Sequence, residues 1–114
     1  MNLEVKHIDE TVWNNAVEKA LTLFFDKEQK HVQMGILEVP PNTRLPKEGY
    51  SLHENSHEFC YVLSGKCLVG TKQGEKTLKA GDIMYNKPGT PHYTYNKSKE
   101  KARMFWIVSP PLNH

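Results

Sequence analysis

Two short segments of this chain carry the side chains that could do chemistry. His53 to Gly65 reads HENSHEFCYVLSG, and Gly81 to Asn96, GDIMYNKPGTPHYTYN, begins sixteen residues after the first segment ends. Both combine histidines or acids with strand-like and turn-like residues. Imidazole and carboxylate groups are the ligands that iron, manganese, nickel and zinc accept in proteins. These two segments are therefore the first candidates for a functional site.

The elements that must position these side chains are predicted to be short strands. Apolar runs of strand length end at turn residues throughout the chain, and Gly74 in TKQGEKT is typical of a hairpin turn. Lys87 to Pro91 cannot be regular strand because of its prolines and glycine. Many short strands at this spacing favour a sandwich or barrel. The predicted strands are 32–39, 59–69 and 102–108.

Residues 11–24 are ambiguous between helix and strand. Apolar residues from Val12 to Phe24 recur every three or four positions, so periodicity alone favours an amphipathic helix. Asp9 or Thr11 could cap the N-terminus of that helix. A resemblance of the two segments to a known family instead implies a hairpin before the turn of Pro40 to Thr43, and such a hairpin needs a strand here. We predict a strand at roughly 19–25 and allow a helical turn before it.

The two segments resemble the paired signature motifs of the cupins. The second matches at six positions, and the first matches at Glu58 and Gly65. This resemblance implies an all-β fold, the cupin double-stranded β-helix or jelly-roll barrel, with histidines and one carboxylate in its mouth. The matching positions of the second motif are Gly81, Asp82, Pro88, Gly89, His92 and Asn96.

The resemblance further implies that His53, Glu58 and His92 are metal ligands. Two imidazoles and a carboxylate would suit Fe, Mn, Ni or Zn and leave positions open for water or substrate. The family's first histidine is missing, and Ser51, His57 or a water could stand in its place. His57 points away from Glu58 by strand parity. A metal-free pocket in which the three residues only form hydrogen bonds stays an alternative.

Further residues near the two segments are predicted to belong to the pocket. Parity directs Thr94 inward with His92, and Trp106 is expected to be core or pocket wall. We predict that Tyr61, Tyr85, Thr94 and Trp106 bind a ligand.

A more specific resemblance, over roughly residues 36–111, is to the ligand-sensing cupin half of bacterial helix-turn-helix regulators, here without a helix-turn-helix. We expect a small-molecule-binding protein; the alternatives are a metal-dependent enzyme of dioxygenase or isomerase type on a small polar substrate, and a protein that uses the fold only for dimerisation.

Length and charge set the remaining expectations. We expect one domain over residues 1–114, with a barrel at roughly 19–110 and an N-terminal arm at 1–18. The net charge of +2, from interspersed charges, predicts no nucleic-acid partner, and the absence of a long apolar run predicts no membrane span and a cytoplasmic location. A homodimer is expected, because Trp13, Phe24 and Phe25 lie in an N-terminal element outside both motifs.

The two cysteines are expected to be free thiols. If residues 59–69 form one strand, Cys60 and Cys67 stand roughly 23 Å apart, well beyond disulfide reach.

Overall fold

The computed structural model describes residues 3–112 and consists of antiparallel strands with one short helix. No helix within this part of the chain is long and apolar enough to cross a bilayer. The elements are α1 (Glu10–Asn14), β1 (Leu21–Phe25), β2 (Gln33–Val39), β3 (Thr43–Leu45), β4 (His57–Ser64), β5 (Lys66–Thr71), β6 (Gly74–Lys79), β7 (Ile83–Asn86), β8 (His92–Asn96) and β9 (Ala102–Ser109).

The strands form two facing sheets, which confirms the predicted jelly-roll barrel. One sheet has the order β1-β2-β9-β4-β7 and the other has the order β3-β8-β5-β6. Consecutive strands therefore alternate between sheets along much of the chain, as the double-stranded β-helix requires. Val39, Cys60, Cys67, Ala102 and Met104 pack between the sheets as the core. The second sheet presents β8, and with it His92, opposite β4 and Glu58.

The N-terminal segment, which was ambiguous between helix and strand, contains one of each. The helix stops at Asn14, and a strand follows at Leu21–Phe25, close to the predicted strand at 19–25. Asp9 is the cap, since its carboxylate accepts a hydrogen bond from the Val12 amide at 3.0 Å. The amphipathic helix that periodicity alone favours is limited to this short segment, and Leu21 and Leu23 reach the same apolar cluster from β1 instead. Trp13 and Ala16 pack on Ile36 of β2.

An ionic contact ties this N-terminal arm to the barrel. The Arg103 guanidinium on β9 donates to the nearly buried Glu38 carboxylate at 2.9 Å and to Glu10 of α1 at 2.6 and 2.8 Å. The same guanidinium lies over the Trp13 ring, 4.6 Å from its centroid. Both apolar and ionic contacts therefore hold the arm on the outer face of β2 and β9.

The prediction of one strand over residues 59–69 is wrong. β4 ends at Ser64 and β5 begins at Lys66, in the other sheet, with Gly65 between them at a φ of 74°. A positive φ there turns the chain without strain only because glycine has no Cβ. Sequence propensity missed this turn because the residues on both sides favour strand.

The estimated 23 Å between the cysteines is wrong for the same reason. Cys60 and Cys67 face each other from the two sheets and lie in one core cluster. Both thiols are nevertheless free, as expected. Burial raises the pKa of Cys60 to about 12 and that of Cys67 to about 11.

Candidate metal centre

Three side chains from different parts of the chain converge inside the barrel. Glu58 lies on β4, His92 begins β8, and His53 lies in the loop that precedes β4. One ligand atom from each lies within 4.8 Å of the others. The structure therefore brings the three predicted metal ligands together, within the distance of roughly 5 Å that a shared ion requires.

Glu58 stands between the two imidazoles. Its Oε2 lies 3.8 Å from Nε2 of His53, and its Oε1 lies 3.3 Å from Nε2 of His92. The two imidazole rings meet edge to face with centroids 5.3 Å apart. All three side chains are largely removed from solvent. Burial lowers the pKa of His53, an effect that the Glu58 carboxylate opposes and His92 reinforces, so the neutral, ligating form of this imidazole is favoured.

His92 is fixed from behind by its other ring nitrogen. Its Nδ1 lies 3.0 Å from the Thr90 carbonyl oxygen and 2.9 Å from the Asn86 amide. If Nδ1 carries the proton, it donates to the Thr90 carbonyl, and the Asn86 amide must then present its Oδ1 rather than its N–H to the ring. The Nε2 lone pair is in that case free to point toward Glu58 and His53. This is the arrangement that orients histidine ligands of metals.

Backbone contacts tie the His53 loop to the rigid turn before His92. The Gly89 amide donates to the His53 carbonyl at 2.9 Å, and Ser51 and His92 exchange two backbone hydrogen bonds at 2.8 and 2.9 Å. These contacts precede the ENS sequence, and at its other end the Ser56 hydroxyl donates to the Pro110 carbonyl at 2.7 Å, so the loop is held on both sides. Ser51 also lines the cavity beside the histidines.

His57 does not belong to the site. Its side chain lies on the outer face of the barrel, where Nδ1 is 2.6 Å from the Tyr85 hydroxyl and the two rings stack. The parity argument, which pointed His57 away from Glu58, agrees with this placement.

The three residues form part of the wall of a cavity of about 390 Å³. Thr94 and Trp106 line this cavity, as predicted, and the Trp106 indole is held in place by donating to the Ile36 carbonyl at 2.9 Å. Cys60, Met84 and Met104 add three sulfur side chains to the wall. The accessible wall is mostly apolar, and further polar side chains line it at Glu18, Lys19, Thr22, Gln33 and Ser51.

Two of the predicted ligand-binding residues lie elsewhere. Tyr61 and Tyr85 are 42% and 47% exposed and belong to the outer face of β4 and β7 rather than to this cavity. The prediction took aromatic residues near the motif as pocket residues and overlooked parity. Because Glu58 points inward, Tyr61, three positions later on the same strand, must point outward.

Three polar residues near the cavity were not predicted from the sequence. Asn86, which contacts His92, pairs with Glu58 across β7 and β4, and its position just before the Lys87–Pro91 turn was the available signal. Gln33 is 3% exposed, donates to the Thr22 hydroxyl at 2.8 Å and accepts from the Leu112 amide at 3.0 Å. Gln33 and Thr22 line the same cavity and lie on the same sheet as Glu58, where Gln33 and Glu58 flank Val108 of β9; nothing local in the sequence marked them.

The donor set fits a divalent transition metal. Ligand atoms that share an ion at ~2.1 Å stand about 3–4 Å apart, and Glu58 Oε atoms lie at 3.3 and 3.8 Å from the two Nε2 atoms. Two imidazoles and one carboxylate suit Fe, Mn, Ni or Zn. The site is therefore suited to such an ion with only small side-chain shifts.

Comparisons with known proteins agree with this architecture. The Cupin_2 family model, described as a cupin domain, matches residues 35–108. An uncharacterised protein of Methanocaldococcus jannaschii is 31% identical over 62 residues, which are 54% of this chain and 50% of that protein. The chain thus spans about half the length of this curated relative.

Solved structures show the same fold at low sequence identity. A Cupin 2 conserved barrel domain protein from Salinispora arenicola has a TM-score of 0.72 at 19% identity, covering 95% of this chain and 89% of its own. The Cupin_2 domain of an XRE family transcriptional regulator from Enterobacter cloacae has a TM-score of 0.70 at 18% identity, covering 81% and 95%. With two-thirds of its length matched by the family model, this chain belongs to the cupin domain family.

Proposed function

We propose that this cupin domain binds a small molecule in its barrel cavity next to a divalent metal held by His53, Glu58 and His92. The observation that carries the proposal is the convergence of these three side chains within 4.8 Å at the wall of a cavity of about 390 Å³. Cavities of ~300–1,000 Å³ with apolar walls and a few localised polar groups are typical of small-molecule sites.

Different residues would bind the metal and the small molecule. Glu58 would supply the negative charge that a divalent ion needs, and the imidazoles of His53 and His92 would be its other protein ligands. When bound, such an ion would polarise an oxygen atom of the ligand. Thr94 is placed to form a hydrogen bond, and Trp106 gives the ligand an apolar wall. We also place the protein in the cytoplasm, a location in keeping with its two free thiols.

Elemental analysis of protein purified without a metal-affinity tag tests the metal directly. We expect close to one transition-metal ion per chain, or uptake of one Co(II) by the metal-depleted protein. Azide should then change the visible spectrum of the Co(II) form, because three protein ligands leave positions open for a small anion. Co(II) uptake without any azide response would contradict an open site, and no uptake at all would contradict the metal.

The second candidate is a metal-dependent enzyme of dioxygenase or isomerase type that acts on a small polar substrate. It is favoured by the donor set itself, since two histidines and one carboxylate with open positions are the ligands of non-haem iron oxygenases. Oxygen uptake by the Fe(II) form in the presence of small hydroxy and keto acids tests the dioxygenase form. Uptake that disappears in Glu58→Gln would support it, and equal uptake by both proteins would contradict it.

A further inference from the structure

A second cavity, of about 430 Å³, lies beside the first at the open side of the barrel. It opens between β6 and β7, which are edge strands of the two sheets. Val69 of β5 and Met84 of β7 line both cavities and therefore separate them. We call the second cavity the edge cleft; its wall includes Val69, Thr71, Lys76, Leu78, Met84 and Asn86.

The cross-strand register determines which side chains face the edge cleft. Thr94 on β8, Val69 on β5 and Lys76 on β6 stand directly opposite one another in one row. Because Thr94 lines the first cavity, the whole row faces inward, and Lys76 is directed toward the edge cleft. Thr71 and Leu78 share this inner face, since they lie two positions after Val69 and Lys76 on the same strands.

Three polar side chains of the edge cleft have hydrogen-bond donors available for a ligand. None of the ion pairs between the residues that the structure describes includes Lys76. The Thr71 hydroxyl accepts a hydrogen bond from the Gln73 amide at 3.1 Å and can donate its own proton. When the Oδ1 atom of Asn86 accepts from the His92 ring, the amide N–H groups of Asn86 are left for another acceptor.

The charge of the edge cleft favours an anion. Of the described residues that line it, Lys76 is the only cation and Glu75 the only acid. Glu75 stands opposite Gly70 on the outer face of the sheet, where its carboxylate accepts a hydrogen bond from the Tyr93 hydroxyl. One inward cation with two neutral donors matches the single charge and two oxygens of a carboxylate. A phosphate group near neutral pH carries up to two charges and matches less well.

Apolar side chains form another part of the cleft wall. Val69, Leu78 and Met84 present hydrocarbon and thioether surface there, and Leu78 is nearly buried. A volume of ~300–1,000 Å³ with apolar walls and a few polar groups is typical of sites for small organic molecules. A bare inorganic anion would leave the apolar surface uncovered. The ligand should therefore carry a short hydrocarbon part next to its charged group.

We propose that the edge cleft binds a small monocarboxylate with a short hydrocarbon part. The carboxylate would contact the Lys76 ammonium, the Thr71 hydroxyl and the Asn86 amide, and the hydrocarbon part would pack on the apolar wall. This site adjoins the candidate metal centre, since Thr71 is the cross-strand partner of His92 and Asn86 contacts the His92 ring. Because Val69 and Met84 separate the two cavities, binding in the edge cleft requires no metal.

Heteronuclear NMR of the full chain tests the proposal, with butyrate and its neutral analogue butyramide as probes at constant ionic strength. The protein is first dialysed against EDTA, so that butyrate cannot bind through a metal at the candidate centre. The result is then independent of whether that centre holds a metal. The variant is Lys76→Met. Its matched control is Lys79→Met, which changes the same residue type on the same strand at a position that pairs with Lys66 on the outer face.

Butyrate should cause saturable shifts at Thr71, Lys76 and the Asn86 side-chain amide, and butyramide should bind at least about fivefold more weakly. Lys76→Met should weaken butyrate binding by a similar factor, whereas Lys76→Arg and Lys79→Met should bind as the wild type does. No saturable shift up to about 50 mM butyrate would overturn the proposal and leave Lys76 as an inward charge that protects an edge strand from pairing. Equal binding by Lys76→Met and Lys79→Met, or of the two probes by the wild type, would also overturn it.

Discussion

The Nε2 atom of His92 lies 3.3 Å from Oε1 of Glu58, although the two residues belong to different sheets. Their contact spans the gap between β8 and β4, so it depends on how the sheets face each other. Two backbone hydrogen bonds join Ser51 to His92, and a third joins Gly89 to His53. These bonds bring the His53 side chain to the contact between His92 and Glu58. The candidate ligand set is thus a property of the closed barrel rather than of any one strand.

His92→Ala should abolish Co(II) or Zn(II) uptake, or weaken the binding of a ligand at least about tenfold, ~1.4 kcal/mol, if the pocket holds no metal. His92 is the most rigidly held of the three residues, through Thr90 and Asn86 behind its ring. His57 precedes Glu58 in the chain but faces outward, so His57→Ala should leave metal uptake unchanged. Calorimetric titration of both variants with the same metal or ligand measures the two affinities. A larger loss of affinity in His57→Ala than in His92→Ala would refute the assignment of His92.

Both cysteines should resist alkylation in the folded protein. Burial raises the pKa of Cys60 to about 12 and that of Cys67 to about 11, so almost no reactive thiolate exists at pH 8. Iodoacetamide at pH 8, followed by intact mass measurement, should add no label within an hour and two labels in urea. Rapid labelling of the folded protein would show that the barrel opens or that the thiols are not buried.

The same shifts predict that stability falls above pH 9. The folded thiols stay protonated where unfolded thiols ionise, so the folded state binds more protons between pH 9 and about 11. Under this condition stability decreases as pH rises. Cys60→Ala should flatten the decline in melting temperature between pH 8.5 and 10.5, and an unchanged slope would argue against this linkage.

Gly65→Ala should destabilise the barrel much more than Gly49→Ala. The two glycines have nearly equal φ values, 74° and 73°, but a Cβ at Gly65 would meet the Lys101 carbonyl oxygen at 2.3 Å, whereas nothing lies within 4 Å at Gly49. We expect a loss of ~1 kcal/mol at Gly49 from backbone strain alone and at least ~2–3 kcal/mol at Gly65. Urea unfolding measures both, and equal losses would show that the contact with Lys101 has no effect.

Asn96→Ala should cost about 2–4 kcal/mol of folding free energy. The Asn96 side chain is fully buried and donates to the carbonyls of Val39 and Glu100 at 2.9 and 2.8 Å, and it accepts from Ser98. Its removal would leave buried carbonyl groups without their partner. Ser98→Ala, which touches the same loop near the surface, should cost less. A reversed order in chemical unfolding would contradict this role of Asn96.

Much of the site could be predicted because two physical signals agreed. Proline and glycine before His92 marked a rigid turn, and strand parity placed Glu58 and Thr94 on the inner face. Ligands on separate strands nevertheless cannot be shown to meet by parity alone. The family resemblance supplied that step, and the geometry of His53, Glu58 and His92 agrees with it.

The errors arose where local propensity opposed the tertiary arrangement. The β-forming residues on both sides of Gly65 hid a turn that sends the chain into the other sheet, which also placed Cys60 and Cys67 too far apart. Asn86 and Gln33 gain their roles only through cross-strand neighbours, which no local pattern in the sequence shows.

The three sulfur side chains in the cavity wall have a consequence for its chemical durability. Cys60, Met84 and Met104 share this cavity with the candidate ligands. A redox-active ion there would generate oxidants among side chains that readily take up oxygen, and each methionine sulfoxide would add a polar, chiral group to an apolar wall. The mass of Met84- and Met104-containing peptides would therefore differ between protein that had held iron and protein that had held zinc.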